Sequence, residues 1–96
     1  MTVAEPMLDN TMKALADPTR REILRMLRAG DLTAGEIAGR FDMTAASVSH
    51  HLSVLRDAGL VGVEKNGRNQ IYSLRTTVFQ EFLQEMSNLF GKGVEK

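Results

Sequence analysis

Between Leu32 and Gly59 the chain carries two helix starts and one helix stop, and this punctuation limits the fold more than any other feature. Thr33 stands three residues before Glu36, the spacing at which each side chain satisfies the other's orphan backbone N–H. Leu32 and Ile37 flank this capping box as a hydrophobic staple. Thr44 is placed as the N-cap of a second helix, with Met43 and Val48 spaced for the same staple. Gly59 suits the left-handed position that closes it. Only Phe41, Asp42 and Met43 separate the two helices, a connection that forces a sharp angle and gives a helix-turn-helix.

The second helix sorts its residues into two faces. Ala45, Val48, Leu52 and Leu55 follow the rhythm of one buried stripe, while Ser47, His50 and Val54 project the other way. Small polar side chains let a helix backbone sit deep in the major groove, and serine can donate to or accept from base edges. From Met43 to Arg56 there is no Asp or Glu, as contact with phosphate requires. The free face points to DNA.

Composition sets outer limits. With 96 residues the chain makes one domain with a single modest core, and a chain this small gains stability by burying further surface in an oligomer. The formal net charge of zero counts against DNA binding by bulk attraction. Charge location matters more: Leu60 to Arg75 carries Lys65, Arg68 and Arg75 against Glu64 alone. The absence of cysteine removes disulfides, thiolate metal sites and cysteine nucleophiles together. No apolar run approaches the roughly 20 residues of a membrane span, and the N-terminus lacks the pattern of a signal peptide, so a cytoplasmic location is expected. Loose ends are expected before about Met7 and after about Gly91.

Before the helix pair, residues 7–16 read as a short amphipathic helix with Met7, Leu8, Met12 and Leu15 on one side. Asp17-Pro18 starts the next helix, which runs to Gly30 and buries Ile23, Leu24 and Leu27. Arg20, Arg21, Arg25 and Arg28 spread over its remainder, either as a solvated face or with one of them on a phosphate. After the pair, Val61, Val63, Ile71 and Tyr72 are strand formers around Asn66-Gly67, the signal of a two-stranded hairpin. With Asn66 and Gly67 as loop residues, Lys65 faces Arg68, and a phosphate between them would relieve the repulsion. An ordinary edge hairpin is the alternative, and Gly62 leaves the register open. Thr77 and Gln80 are spaced as a capping box for the last helix. Its apolar positions Val78, Phe79, Phe82, Leu83, Met86, Leu89 and Phe90 make a stripe wider than a small core covers. A second copy is the favoured cover, and the first helix is the alternative.

The stretches "ALADPTRREILRML", "GDLTAGEIAGRFDMTAASVSHHLSVLRDAGLV" and "KNGRNQIYSL" together resemble the ArsR/SmtB family of winged-helix bacterial repressors, over roughly Leu8 to Phe90. Within it the chain is most similar to SdpR-type autorepressors, whose relatives repress their own operons. The resemblance implies a mainly α winged helix-turn-helix of about five helices plus a two-stranded wing. It is expected as one domain over 1–96, with a recognition helix at about 44–58, a wing at about 60–74 and dimerisation helices at about 7–16 and 77–90. Carried over by position, Thr44, Ala46, Ser47, Ser49 and His50 face DNA, Lys65 and Arg68 reach it from the wing, and Thr33 sits near a phosphate. Leu8, Met12, Phe79, Phe82, Leu83, Met86 and Phe90 are the expected dimer interface. The implied partners are a double-stranded operator and a second copy, with release through a membrane-protein antagonist implied by the resemblance alone.

Many members of that family sense metals, and here the sequence departs from it. Thr33 and Gly35 stand where thiolates would be, and the last helix has no histidine. His50 and His51 are adjacent, so their side chains point about 100° apart on a helix and do not grip one ion. Glu81 and Glu85 read as a solvated face. No Ser/His/acid, paired-acid or glycine-rich phosphate arrangement can be assembled, so no enzyme, cofactor, metal or small-molecule ligand is assigned. The expected function is a sequence-specific, autoregulatory repressor that binds an inverted repeat as a homodimer. The alternatives are a ligand- or metal-responsive repressor with a non-thiolate site and a winged-helix protein-interaction module.

Overall fold

In the computed structural model, which describes residues 5–91 and the side chains of residues 8–91, the chain runs α1 (Glu5–Leu15), α2 (Pro18–Ala29), β1 (Leu32–Thr33), α3 (Ala34–Ala38), α4 (Ala45–Asp57), β2 (Val61–Asn66), β3 (Asn69–Leu74) and α5 (Thr76–Phe90). α1 starts two residues before the expected position. The expected loose ends at residues 1–4 and 92–96, and the Met7 side chain, lie outside the described residues.

Local chemistry explains most boundaries. Asp17 caps α2 by accepting from the Arg20 N–H at 3.1 Å, with Pro18 in the first turn. The Thr33–Glu36 box forms in both directions, with bonds of 2.8 and 3.1 Å. Thr44 caps α4 by accepting from the Ser47 N–H at 3.0 Å. At the other end Gly59 has φ +78°, its N–H donates to Arg56 O and the Leu60 N–H to Leu55 O, which is the Schellman arrangement. A Cβ at Gly59 would also press on Val78 of α5, so the same residue ends α4 and admits α5. The expected box at the start of α5 does not form. The helix begins two residues earlier than that box would place it, at Thr76, with Arg75 in the cap position and no side-chain cap bond, so Thr77 lies within the helix.

The sheet is larger than a hairpin. Leu32 and Thr33 pair antiparallel with Tyr72 and Ile71, giving three strands in the order β1-β3-β2 rather than two. The hairpin register also differs from expectation. Asn66 pairs with Asn69 and Lys65 with Gln70, so the loop is Gly67-Arg68 and Lys65 does not oppose Arg68. Gly67 takes φ +66° at the first loop position while Arg68 keeps a negative φ, the preference of a type II′ turn, whose twist matches that of the strands. Gly62 stays in the ladder opposite Ser73, and a Cβ there would collide with the Arg75 side chain lying across it.

The core gathers Ile23 and Leu27 of α2, Ile37 of α3, Val48, Leu52 and Leu55 of α4, and Leu60, Val61 and Tyr72 at the base of the wing. Each such aliphatic burial stabilises the fold by about 1.5–3 kcal/mol. Two assignments along α4 change: Ala45 is exposed, and Val54 packs on the core instead of projecting outward. The apolar arc is rotated toward the C-terminal half, so the first turn of α4 stands clear of the protein.

Arg20 is buried rather than solvated. Its Nε donates to Ala14 O and its Nη2 to Lys13 O, both at 2.9 Å, and its Nη1 donates to His51 Nδ1 at 3.1 Å. Arg21 Nη1 donates to Leu15 O at 2.9 Å. Two arginines of α2 therefore satisfy three of the orphan carbonyls at the end of α1, and Arg20 ties that end to α4.

Arg20→Met keeps the stem but removes three bonds from a charged donor, and should destabilise the fold by about 2–4 kcal/mol in urea unfolding. Hydrogen exchange in α1 should rise first, and Arg20→Lys should recover only part of the loss because an ammonium does not reproduce the planar fork. At Asp17, partial burial pushes the carboxyl pKa up, but the Arg20 N–H and the field of His51 and Arg20 outweigh it and hold the value below the ordinary 3.8. Its charge therefore stabilises the fold fully above about pH 4, and that contribution is lost as pH falls through the depressed value. Asp17→Asn, which keeps a cap without the charge, should flatten the acid side of a Tm-against-pH curve measured by circular dichroism.

Candidate nucleic-acid interface

The first turns of α4 carry Ala46, Ser47, Ser49 and His50, all exposed, with the exposed cap Thr44 just ahead of them. They stand out because the buried stripe of Val48, Leu52 and Leu55 anchors the opposite side. Thr44 Oγ1 accepts from the Ser47 N–H and donates to Ser47 Oγ at 3.1 Å. That bond uses one lone pair of Ser47 and leaves its own hydroxyl proton free to donate outward, as an acceptor on a base edge requires. The free end of α4 thus offers an oriented donor, a small side chain at Ala46 and an imidazole, with no carboxylate among them.

The wing adds positive charge. Lys65 is the penultimate paired residue of β2 and Arg68 occupies the turn, both exposed. They line a polar cleft of about 260 Å³ together with Thr33, Gly35, Asn69 and Gln70. The structure therefore brings Thr33, Lys65 and Arg68 to one place, as expected, though not through the Lys65–Arg68 pairing across the turn. Thr33 Oγ1 accepts from the Glu36 N–H, so its hydroxyl proton remains available to an anion in the cleft. α3 packs on both α4 and β3, which links the helix face and the wing cleft through touching elements.

Two residues of this cleft, Asn69 and Gln70, are missing from the expected set. They enter because Gly67 is the first loop residue and not the second, a one-place shift that puts Gln70 opposite Lys65. Behind the face, His51 is mostly buried against Arg20, and its Nδ1 lies 3.9 Å from Asp17 Oδ2. His50 and His51 have ring centroids 5.9 Å apart and tilted planes, one ring outside and one inside. Among the described residues no three His, Asp or Glu side chains come together as a metal-binding set.

Of the residues expected at the dimer interface, all but one are exposed or half-buried in the single chain. No residue of α5 is buried, and Phe79, Leu83, Leu89 and Phe90 are exposed, Phe90 to 69%. Met12 of α1 is exposed beside them in the expected set, while Phe82 and Met86 are half-buried. Phe79 and Phe82 stack at 6.3 Å. Leu8 departs from the expectation: it is 7% exposed and so is buried within the single chain. Exposed apolar surface of this extent on one helix is unusual in a chain that stays single.

Comparison with known proteins agrees with this geometry. Residues 17–63 match the family described as bacterial regulatory protein, arsR family. The chain is 44% identical over 86 residues to the transcriptional repressor SdpR of Bacillus subtilis strain 168, a match covering 90% of this chain and 96% of that one. Its fold superposes on the crystal structure of an ArsR family transcriptional regulator with a TM-score of 0.82 and 33% identity, over 96% of this chain and 98% of the other. It also matches the solution structure of a homodimeric winged helix-turn-helix DNA-binding domain from Mycobacterium bovis, with a TM-score of 0.72 and 26% identity, over 95% and 87% of the two chains.

Proposed function

Because the chain belongs to the ArsR family of bacterial regulatory proteins, we propose that it is a DNA-binding transcriptional repressor that acts as a homodimer on an inverted-repeat operator. The observation that carries this reading is the acid-free first half of α4, held clear of the protein with a free hydroxyl donor at Ser47. Two copies paired through α5 present two such helices, and a spacing of about 34–36 Å between them matches successive major grooves. Thr44, Ala46, Ser47, Ser49 and His50 read or line the groove, while Thr33, Lys65 and Arg68 hold the backbone, with Asn69 and Gln70 as added contacts. Bound DNA that overlaps a promoter excludes polymerase, and the similarity to a named repressor over nearly its whole length supports repression over activation.

The same reading makes the protein autoregulatory and places it in the cytoplasm with the chromosome. Among the described residues no helix is long and apolar enough to cross a membrane. A membrane-protein antagonist enters this reading through the resemblance alone. No arrangement of side chains favours a metal-responsive repressor over this function, and the ArsR family and the named relative are transcriptional regulators rather than enzymes.

Fluorescence anisotropy on the DNA upstream of the protein's own coding region, beside a scrambled duplex, tests the reading. The upstream DNA should bind more tightly, with log affinity falling linearly with log salt. Ser47→Ala should lower the preference by about thirtyfold, the loss of one neutral hydrogen bond of about 1 kcal/mol in each protomer of the dimer. Removing Lys65 and Arg68 together should weaken both duplexes and reduce the salt slope by about 3.6, at roughly 0.9 per phosphate contact for four wing cations in a dimer. Equal binding to both duplexes rejects autoregulation, and no binding at low salt rejects the DNA reading.

Leu83→Glu places a charge in the middle of the exposed α5 stripe. It should leave the far-UV circular dichroism of the folded protein intact, convert the dimer to a monomer in sedimentation analysis and abolish operator binding. A variant that stays dimeric would move the interface off α5.

A further inference from the structure

Away from the face assigned to DNA, a cleft of about 280 Å³ opens where the end of α1, the side of α2, the base of the wing and the start of α5 meet. Its floor is apolar, with Leu24, Leu60 and Phe79 among the lining residues. One wall carries Arg21, Arg25 and Arg28, spaced i, i+4 and i+7 so that they fall on one stripe of α2.

These cations are not equally engaged. Arg25 is bridged to Glu22 at 2.8 Å, which offsets one charge. Arg21 spends one N–H on the Leu15 carbonyl, a neutral group, and keeps its charge and its other donors. Arg28 makes no hydrogen bond or ion pair among the described residues. An apolar floor below a wall with two uncompensated guanidinium groups selects a ligand that has an apolar tail and an anionic head. A cleft of this volume lies at the small end of ligand pockets.

We propose that this cleft is a binding site for a small amphipathic carboxylate, its tail against Leu24 and Phe79 and its head on Arg28 and Arg21. Arg28 is the selective element, because it is the cation with no other bond. The cleft borders Phe79, which also belongs to the α5 stripe, so a ligand there sits beside the proposed dimer surface and apart from Ser47 and the wing. The site stands whether or not the chain represses transcription, since direct binding is its readout.

Octanoate, with ten non-hydrogen atoms, is the probe, titrated calorimetrically into the full-length protein beside octylammonium, which has a similar tail and the opposite charge. One octanoate per protomer should bind, octylammonium should not, and Arg28→Glu should weaken octanoate by about tenfold or more, the loss of a charge-assisted contact. Arg28→Gln should fall between the two. Arg28 is exposed, so these variants keep the fold, which circular dichroism checks. The proposal is overturned by absence of octanoate binding, by equal binding of octylammonium, or by an affinity unchanged in Arg28→Glu. It is also overturned if octanoate binds only to the monomeric Leu83→Glu variant, because a second copy would then be the occupant of the cleft.

Discussion

One guanidinium joins three helices. Arg20 closes the end of α1 through two carbonyls, has its own backbone N–H capped by Asp17, and reaches α4 through His51. A guanidinium has only donors, so His51 Nδ1 accepts, and the direction of the imidazole follows from the arginine. The buried stripe of Val48, Leu52 and Leu55 sets which face of α4 turns outward, and the Arg20–His51 bond adds a directional contact beside His50 that holds this setting.

The features legible in the sequence were those decided within a few residues. The caps at Asp17, Thr33 and Thr44 and the stop at Gly59 each depend on a side chain and an N–H or carbonyl no more than five residues away. The box at Thr77 and Gln80 had the same spacing yet did not form, because α5 starts two residues sooner, where β3 delivers the chain and where Val78 meets Gly59. Tertiary contact overrode the local preference. The third strand had no period to read, since two residues cannot alternate, and the Gly67-Arg68 turn turned on which of two adjacent places the glycine filled. Arg20 was the largest miss: its sequence neighbourhood looks like a solvated basic face, and its partners lie six, seven and thirty-one residues away. At the candidate site, the α4 face was readable from the rhythm of small and apolar residues, and the wing cleft only in part.

The surfaces divide the chain's work among separate elements. In the proposed reading α4, the start of α3 and the wing form the DNA side, whereas α5 supplies unburied apolar area. α1 belongs to both through Arg20 on its end and its packing on α5. α5 also meets the end of α4 directly, since Val78 packs on the core beside Gly59, so the dimer helix and the helix of the candidate interface are joined both through the core and through α1.

A net charge of zero is compatible with DNA binding because the two quantities act over different distances. At physiological salt the Debye length is about 8 Å, so a phosphate at the wing responds to Lys65 and Arg68 and hardly at all to Glu81 and Glu85 on another helix. Several carboxylates are also engaged by local partners: Asp17 by the Arg20 N–H, Glu36 by the Thr33 N–H, Glu22 by Arg25. What neutrality does remove is the long-range attraction that holds strongly basic proteins on any DNA. With that term small, occupancy of the wrong sequence is weak, and in the proposed reading discrimination falls to the few groups at the free end of α4. A neutral chain of this size can therefore be selective with a hydroxyl, a methyl and an imidazole, provided that a second copy doubles them.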